Sequence, residues 1–395
     1  MAQNKLVSTA KTPRSPRFRD HPVQITNSSR IQIEFKLKVA LLYSNTYCSF
    51  MKLFVTGHEE LVHDVQYDFY GKHIATVSSD QHIKVFDMDA ATSSWVLNDS
   101  WKAHDSLVVK VTWAHPQFSS LSIIASCSYD RTVKVWQEQP QEMHGSGRRW
   151  VKLATLATES FGPIYDVKFA PSHLGLKLAC IGSEGILRIY ESLDPSDLTY
   201  WSLTAEIAVL SLQLPTKSLQ STFGIEWCPS KFANTEKFVV VALDQAFIYG
   251  ASVAGNGDNS GTNNDFDMAS GDGGINSENK YVKLCSLPEH NGLIRSVSWA
   301  PSMGRNFHLI ATACKDGYVR IFKAIEAING DLKIDTIAKL RDHQLEVWRV
   351  TWNITGTILS SAGDDGKVRL WKSNYLNEWK CMSIISSNAG VKQES

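Results

Sequence analysis

Four stretches of the chain place an imidazole, a hydroxyl and a carboxylate at nearly constant spacing. They are His58, Thr76 and Asp80; His104, Ser126 and Asp130; His290, Thr312 and Asp316; and His343, Ser361 and Asp365. The hydroxyl lies four residues before the acid each time, and the imidazole 22 or 26 residues before it. Ser, His and Asp together are the side chains of nucleophilic acyl transfer, where the imidazole takes the hydroxyl proton and the carboxylate orients the ring. Recurrence argues against that chemistry, since catalysis needs one site and a structural device repeats. No Gly-x-Ser-x-Gly elbow is present either. Two sets end six residues past the acid in a tryptophan, Trp136 and Trp371. Hydrogen bonds running from indole to hydroxyl to imidazole to carboxylate would satisfy all four groups in an interior, each netting about 1 kcal/mol.

Such chains must be held by turns and short strands, and the surrounding sequence has both. SSDQHIKVF (78–86), CSYDRTVKVW (127–136) and AGDDGKVRLW (362–371) each pair a turn acid with an alternating strand that closes on an aromatic. The closing aromatics Phe86, Trp136, Tyr190, Tyr249, Phe322 and Trp371 recur every 49 to 73 residues. A second strand ending in an aromatic lies upstream of each, reaching Tyr67, Trp113, Phe169, Trp227, Trp299 and Trp352. An outer strand follows each, at 95–101, 150–156, 201–209, 281–287, 334–340 and 378–385. Six units of four strands with little helical periodicity predict an all-β fold, a six-bladed β-propeller. Repeats 3 and 4 lack the His, Glu184 replaces the acid of repeat 3, and Asp244 sits one residue nearer its aromatic. Those two blades are expected to be held by packing instead. Four strands per unit, used in order, leave none to clasp the ring, which predicts an opening between the first and last blades with apolar sheet faces. Residues 31–42 (IQIEFKLKVALL) alternate enough to make a strand that could partly fill that gap in cis.

Composition narrows the function. Of 395 residues, 40 are Lys or Arg and 40 Asp or Glu, but the balance is uneven. Residues 1–50 carry eight bases against Asp20 and Glu34, while the remainder is net acidic, so the body is no polyanion binder. The tail 1–50, with Pro13, Pro16 and Pro22, reads as a basic disordered extension, and residues 51–387 as the propeller. Within it, 251–280 has Gly, Asn, Ser or Asp at 20 of 30 positions and reads as a disordered loop; 388–395 is a tail. Seven scattered cysteines without a C-x-x-C suggest reduced, buried thiols in the cytosol or nucleus. The histidines outside the repeats have no carboxylate or thiol at ligand spacing, so no metal and no cofactor is expected. No apolar run is long enough for a membrane-spanning helix.

The repeated residues resemble the WD-repeat family. SGRRW (146–150), FAPSHLGLKLACIGSEGILRIY (169–190), LIRSVSWAPSMGR (293–305), LIATACKDGYVRIFK (309–323) and GTILSSAGDDGKVRLWK (356–372) are similar, more narrowly, to the small propeller nucleoporins of the Y-shaped nuclear pore complex. These are relatives of the propeller in the outer coat of vesicles leaving the endoplasmic reticulum. The resemblance implies a non-enzymatic adaptor at the nuclear envelope, whose incomplete ring takes a seventh blade from a helical-solenoid nucleoporin. It further implies other Y-complex partners and membership of a vacuolar or lysosomal membrane complex regulating nutrient (TOR) signalling. No nucleic acid and no membrane insertion are expected. At the opening, Leu53, Phe54, Val55, Trp371 and Trp379 are the expected partner contacts. The alternatives are a vesicle-coat propeller or a peptide-binding substrate receptor. In WD-repeat proteins the first inner-strand positions, here Asp64, Lys110, Asp166, Gly224, Ser296 and Arg349, lie near one mouth of the channel; this mixed set offers no single-sign pocket.

Overall fold

The computed structural model describes residues 55–386 apart from 93, 196, 211–221, 232–234, 253–279 and 328–331. The basic tail, the 31–42 segment, Leu53, Phe54, most of the 251–280 loop and residues 387–395 lie outside the described residues.

Among the described residues, alternating β-branched and polar positions between turn signals build 24 strands in six antiparallel sheets of four. Blade 1 comprises β1 (Val62–Tyr67), β2 (His73–Ser78), β3 (His82–Asp89) and β4 (Ser94–Lys102). Blade 2 comprises β5 (Val108–Trp113), β6 (Ile123–Ser128), β7 (Val133–Glu138) and β8 (Trp150–Leu156). Blade 3 has β9 (Ile164–Phe169), β10 (Lys177–Gly182), β11 (Ile186–Glu191) and β12 (Ser202–Ala208). Blade 4 has β13 (Phe223–Trp227), β14 (Lys237–Ala242), β15 (Gln245–Ala251) and β16 (Tyr281–Ser286). In blade 5 come β17 (Ile294–Trp299), β18 (His308–Cys314), β19 (Val319–Glu326) and β20 (Leu332–Leu340). In blade 6 come β21 (Val347–Trp352), β22 (Ile358–Gly363), β23 (Lys367–Ser373) and β24 (Trp379–Ser386). Every sheet keeps sequence order from inner to outer strand, so each blade is one continuous stretch of chain. The fold is the six-bladed all-β propeller.

The second strand of each blade has both faces covered, as in β6, β10, β14 and β18, which are buried end to end. Strand alternation then sends one face toward the preceding blade and the other toward the next. Five apolar clusters form this way, each spanning two consecutive blades. The first joins Val77, Ile83 and Val85 of blade 1 to Val111, Trp136 and Trp150 of blade 2. The last joins Ile321 of blade 5 to Val350, Leu359 and Trp371 of blade 6. Between the third and outer strands, all six blades carry a register shift immediately before the closing aromatic, at Phe86, Trp136, Tyr190, Tyr249, Phe322 and Trp371. A bulge of this kind adds local twist, which the outer strands of fanned blades need.

Candidate functional site

The polar sets sit where the second strand, the following turn and the loop before the first strand converge. In blade 2, Trp136 Nε1 donates to Ser126 Oγ at 3.0 Å, and Ser126 meets His104 Nε2 at 2.8 Å. His104 Nδ1 contacts Asp130 Oδ2 at 2.8 Å. Blade 6 repeats this with Trp371 to Ser361 at 2.8 Å, Ser361 to His343 at 2.7 Å and His343 to Asp365 at 2.9 Å. In blade 1, His58 bridges Thr76 at 2.9 Å and Asp80 at 2.8 Å. Each acid also caps its own turn, Asp80 accepting from His82 N and Asp130 from Thr132 N, both at 3.0 Å. The residue after the acid is left-handed, with φ of 68° at Gln81 and 71° at Arg131; the equivalent Gly317 and Gly366 adopt it without a side chain.

Burial pushes the His58 and His104 imidazoles below their ordinary value, only partly offset by Asp80 and Asp130. Burial alone would raise the Asp80, Asp130 and Asp365 carboxyls, but hydrogen bonds from the imidazoles hold all three low, helped at Asp365 by Arg369. A neutral imidazole donating to an ionised carboxylate satisfies both directions. The Thr76, Ser126, Thr312 and Ser361 side chains are buried, and none of the four hydroxyls can meet a substrate. Among the described residues, no group of three His, Cys, Asp or Glu side chains could hold a metal ion.

Two blades depart from expectation. In blade 5, His290 Nε2 meets Thr312 at 2.8 Å, but Asp316 turns onto Arg320 at 2.5 Å, and His290 Nδ1 makes no hydrogen bond. The guanidinium offers Asp316 two donors and outcompetes the ring. In blade 3, packing alone was expected, yet a polar set is present. Glu184 accepts from Ser160 Oγ at 3.0 Å and from Arg188 at 2.5 Å, with Ser160 near the missing imidazole's place. Among the described residues only blade 4 shows no equivalent, and its Asp244 is exposed. The overlooked signal is a cation four residues past each acid: Lys84, Lys134, Arg188, Arg320 and Arg369. Lys84 and Lys134 reach back to the carbonyls of Gly57 and Ala103 at 2.6 and 2.9 Å, while the arginines pair with the acid.

Asp64, Lys110, Asp166, Gly224, Ser296 and Arg349, one from the inner strand of each blade, line one cavity of about 150 Å³. Lys168 pairs there with Glu226 at 3.1 Å, and Asp166 accepts the amides of Val167 and Ile225 at 2.9 and 3.0 Å.

The boundary between blades 6 and 1 differs from the other five. Inner strands pack in succession from β1 to β5, β9, β13, β17 and β21, with no comparable packing of β21 on β1. No apolar cluster of described residues spans it. Blade 1 presents Val65 and Ile74 with Val62, Tyr67 and Trp95, and blade 6 presents Val368, Leu370 and Ile385 with Ile358 and Ala362. Tyr67 and Trp95 meet edge to face at 5.8 Å, and the buried Tyr67 hydroxyl makes no hydrogen bond. Trp371 and Trp379, expected at this boundary, lie on the opposite face of blade 6. Both belong to the cluster shared with blade 5, Trp379 packing on Trp352 at 5.6 Å. Alternation explains the correction, because closing aromatics face the preceding blade; the counterpart of Trp379 at the boundary is therefore Trp95. Val55 is 80% exposed.

This geometry defines a WD-repeat propeller in which no apolar cluster of described residues joins the terminal blades. The WD domain, G-beta repeat family matches residues 50–87, 95–137, 281–323 and 334–372, which are the four repeats carrying the His and Asp. The chain is 48% identical over 376 residues to nucleoporin SEH1 of Saccharomyces cerevisiae, covering 85% of this chain and 99% of that one. It is 38% identical to nucleoporin seh1 of Schizosaccharomyces pombe (84% and 95% covered) and 40% identical to human nucleoporin SEH1 (84% and 87%). The chain belongs to the SEH1 nucleoporin family.

Proposed function

We propose that the chain is a non-enzymatic scaffold of the nuclear pore outer-ring Y complex, serving transport of protein and mRNA at the nuclear envelope. A helical-solenoid nucleoporin adds a blade in trans at the boundary between blades 6 and 1, and other Y-complex nucleoporins attach through that pair. The observation carrying this reading is that no apolar cluster of described residues spans the boundary between blades 6 and 1, whereas each of the other five interfaces has one. A strand set inserted there buries apolar surface on both of its faces. Its area would exceed an ordinary interface of about 1,600 Å², so the pair dissociates slowly. The same adaptor surface serves a vacuolar or lysosomal nutrient-signalling complex, a reading that rests on resemblance alone.

Co-expression with the N-terminal strand segment of a solenoid nucleoporin, followed by gel filtration, tests the central claim. Co-elution is expected, with Val368→Asp or Ile74→Asp abolishing it and exposed Tyr375→Ala leaving it intact. Absence of co-elution with the wild-type chain, or equal loss in all three variants, overturns the reading.

A further inference from the structure

Every blade runs in the same order, so the six loops that join first strands to second strands lie at one rim of the ring of inner strands. They span 68–72, 114–122, 170–176, 228–236, 300–307 and 353–357, and several neighbours touch. The Phe69 and His115 ring centroids lie 4.5 Å apart between blades 1 and 2. Ser302 Oγ donates to Ser230 Oγ at 3.2 Å between blades 5 and 4, and Arg305 Nη1 to the Gly356 carbonyl at 2.9 Å between blades 5 and 6. These loops carry Lys72, His115, His173, Lys231 and Arg305 against two acids, Asp68 and Glu236. Both acids are committed. Asp68 accepts the amides of Lys72 and His73 at 2.7 and 3.0 Å, and Glu236 is held by Lys177 and the Tyr281 hydroxyl. Lys72, Lys231 and Arg305 form no ion pair with a described acid, and the hydrogen bonds of Arg305 all go to carbonyls. A collar of one sign is not what a net acidic body leads one to expect.

Apolar anchors sit beside the charge. Phe69 and Tyr70 are 64% and 67% exposed and meet edge to face at 5.2 Å, with Phe69 also against the His115 ring. Aromatic rings fixed by a neighbour and open to solvent are the anchors that interfaces favour. We infer that this collar docks an acidic peptide segment of a partner protein, its carboxylates on Lys231 and Lys72 and an apolar side chain on Phe69 and Tyr70. Burial and the Lys231 charge hold His115 and His173 below their ordinary value, while the Ser230 backbone and Glu236 act in the opposite sense at His173. A carboxylate beside Lys231 offsets that charge, so docking takes up protons and tightens as pH falls. The collar does not depend on how the terminal blades are completed.

Fluorescence anisotropy of the full chain with a labelled polyglutamate peptide carrying one central phenylalanine tests this. Saturable binding is expected, weakening as salt is raised. Lys231→Glu should weaken it about ten-fold and Phe69→Ala about five-fold. Lys333→Glu, which alters an exposed charge on the outer strand of blade 5, should leave it unchanged. Affinity should rise about three-fold from pH 7.5 to pH 6, and the double variant His115→Asn with His173→Asn should remove that rise. No saturable binding by the wild type, equal loss in Lys231→Glu and Lys333→Glu, or affinity independent of pH overturns the inference. Residues 253–279 carry five acids and no base. A gain in affinity when a Gly-Ser linker replaces them would give the collar to the chain's own acids and overturn its assignment to a partner. The gel-filtration result above is independent of all these outcomes.

Discussion

At the scale of single residues, four repeats share one vocabulary but not one wiring. His104 bonds through both ring nitrogens, whereas His290 bonds through one because Arg320 has taken its acid. Replacing His104 by Ala strips a buried hydroxyl and a buried carboxylate of their partner at once and should cost about 2–4 kcal/mol. His290→Ala removes one bond and should cost clearly less. Urea denaturation of the two variants ranks them, and equal losses would show that ring packing outweighs hydrogen bonding. The His, Ser or Thr, and Asp positions were readable because buried polar groups must recur together to be satisfied. The cation four residues past the acid was equally present in five repeats, but a lysine or arginine in an alternating strand looks like an ordinary solvated residue. Which partner Asp316 chooses depends on competing distances that spacing does not encode.

At the scale of elements, the SGRRW stretch acquires a mechanical role. Asp99, buried in β4 of blade 1, accepts the amides of Gly147 and Arg149 at 2.7 and 2.9 Å. Arg149 pairs with Glu138 at 2.9 Å, and Trp150 Nε1 donates to Asn98 at 3.2 Å. The loop before β8 is thereby stitched onto the preceding blade. Asp99→Ala strands several amides and should lower stability by at least about 2 kcal/mol, with protease nicking within 139–149 appearing first. Unchanged denaturation and cleavage would mean that the loop is held by Trp150 alone. Strand positions followed from alternation and closing aromatics to within two residues for most outer strands. The bulge before each aromatic, and the face to which Trp371 and Trp379 point, were not readable. Both are set by backbone pairing with a neighbour rather than by residue type.

The whole molecule responds to acid as a sum of these units. Burial holds His58, His104 and His290 below the ordinary 6.5, His290 at about 4, with the charge of Arg320 adding to the effect there. The unfolded chain therefore takes up protons first as pH falls below 6.5, and stability drops from there toward the folded-state values. Asp80, Asp130 and Asp365, held low in the fold, extend the loss below the usual carboxylate range. His73, raised by its hydrogen bond to Asp87, contributes in the opposite sense, but seven described histidines are shifted the other way. Stability measured by denaturant at pH 7.5, 6 and 5 should fall at each step, and a maximum near pH 5 would contradict the neutral-imidazole assignment.

The order of strands has a final consequence, for how the molecule is made. Each described blade is a continuous run of four strands, and each apolar core shared between described residues of two blades joins neighbours in the chain. In these apolar cores the ring is a row, each blade packing on the one before it. A propeller clasped by a strand from each terminus must wait for its last residues before its first blade is whole. Here the four described strands of blade 1 have all emerged once Lys102 has left the ribosome, and each later blade can dock on a template already made.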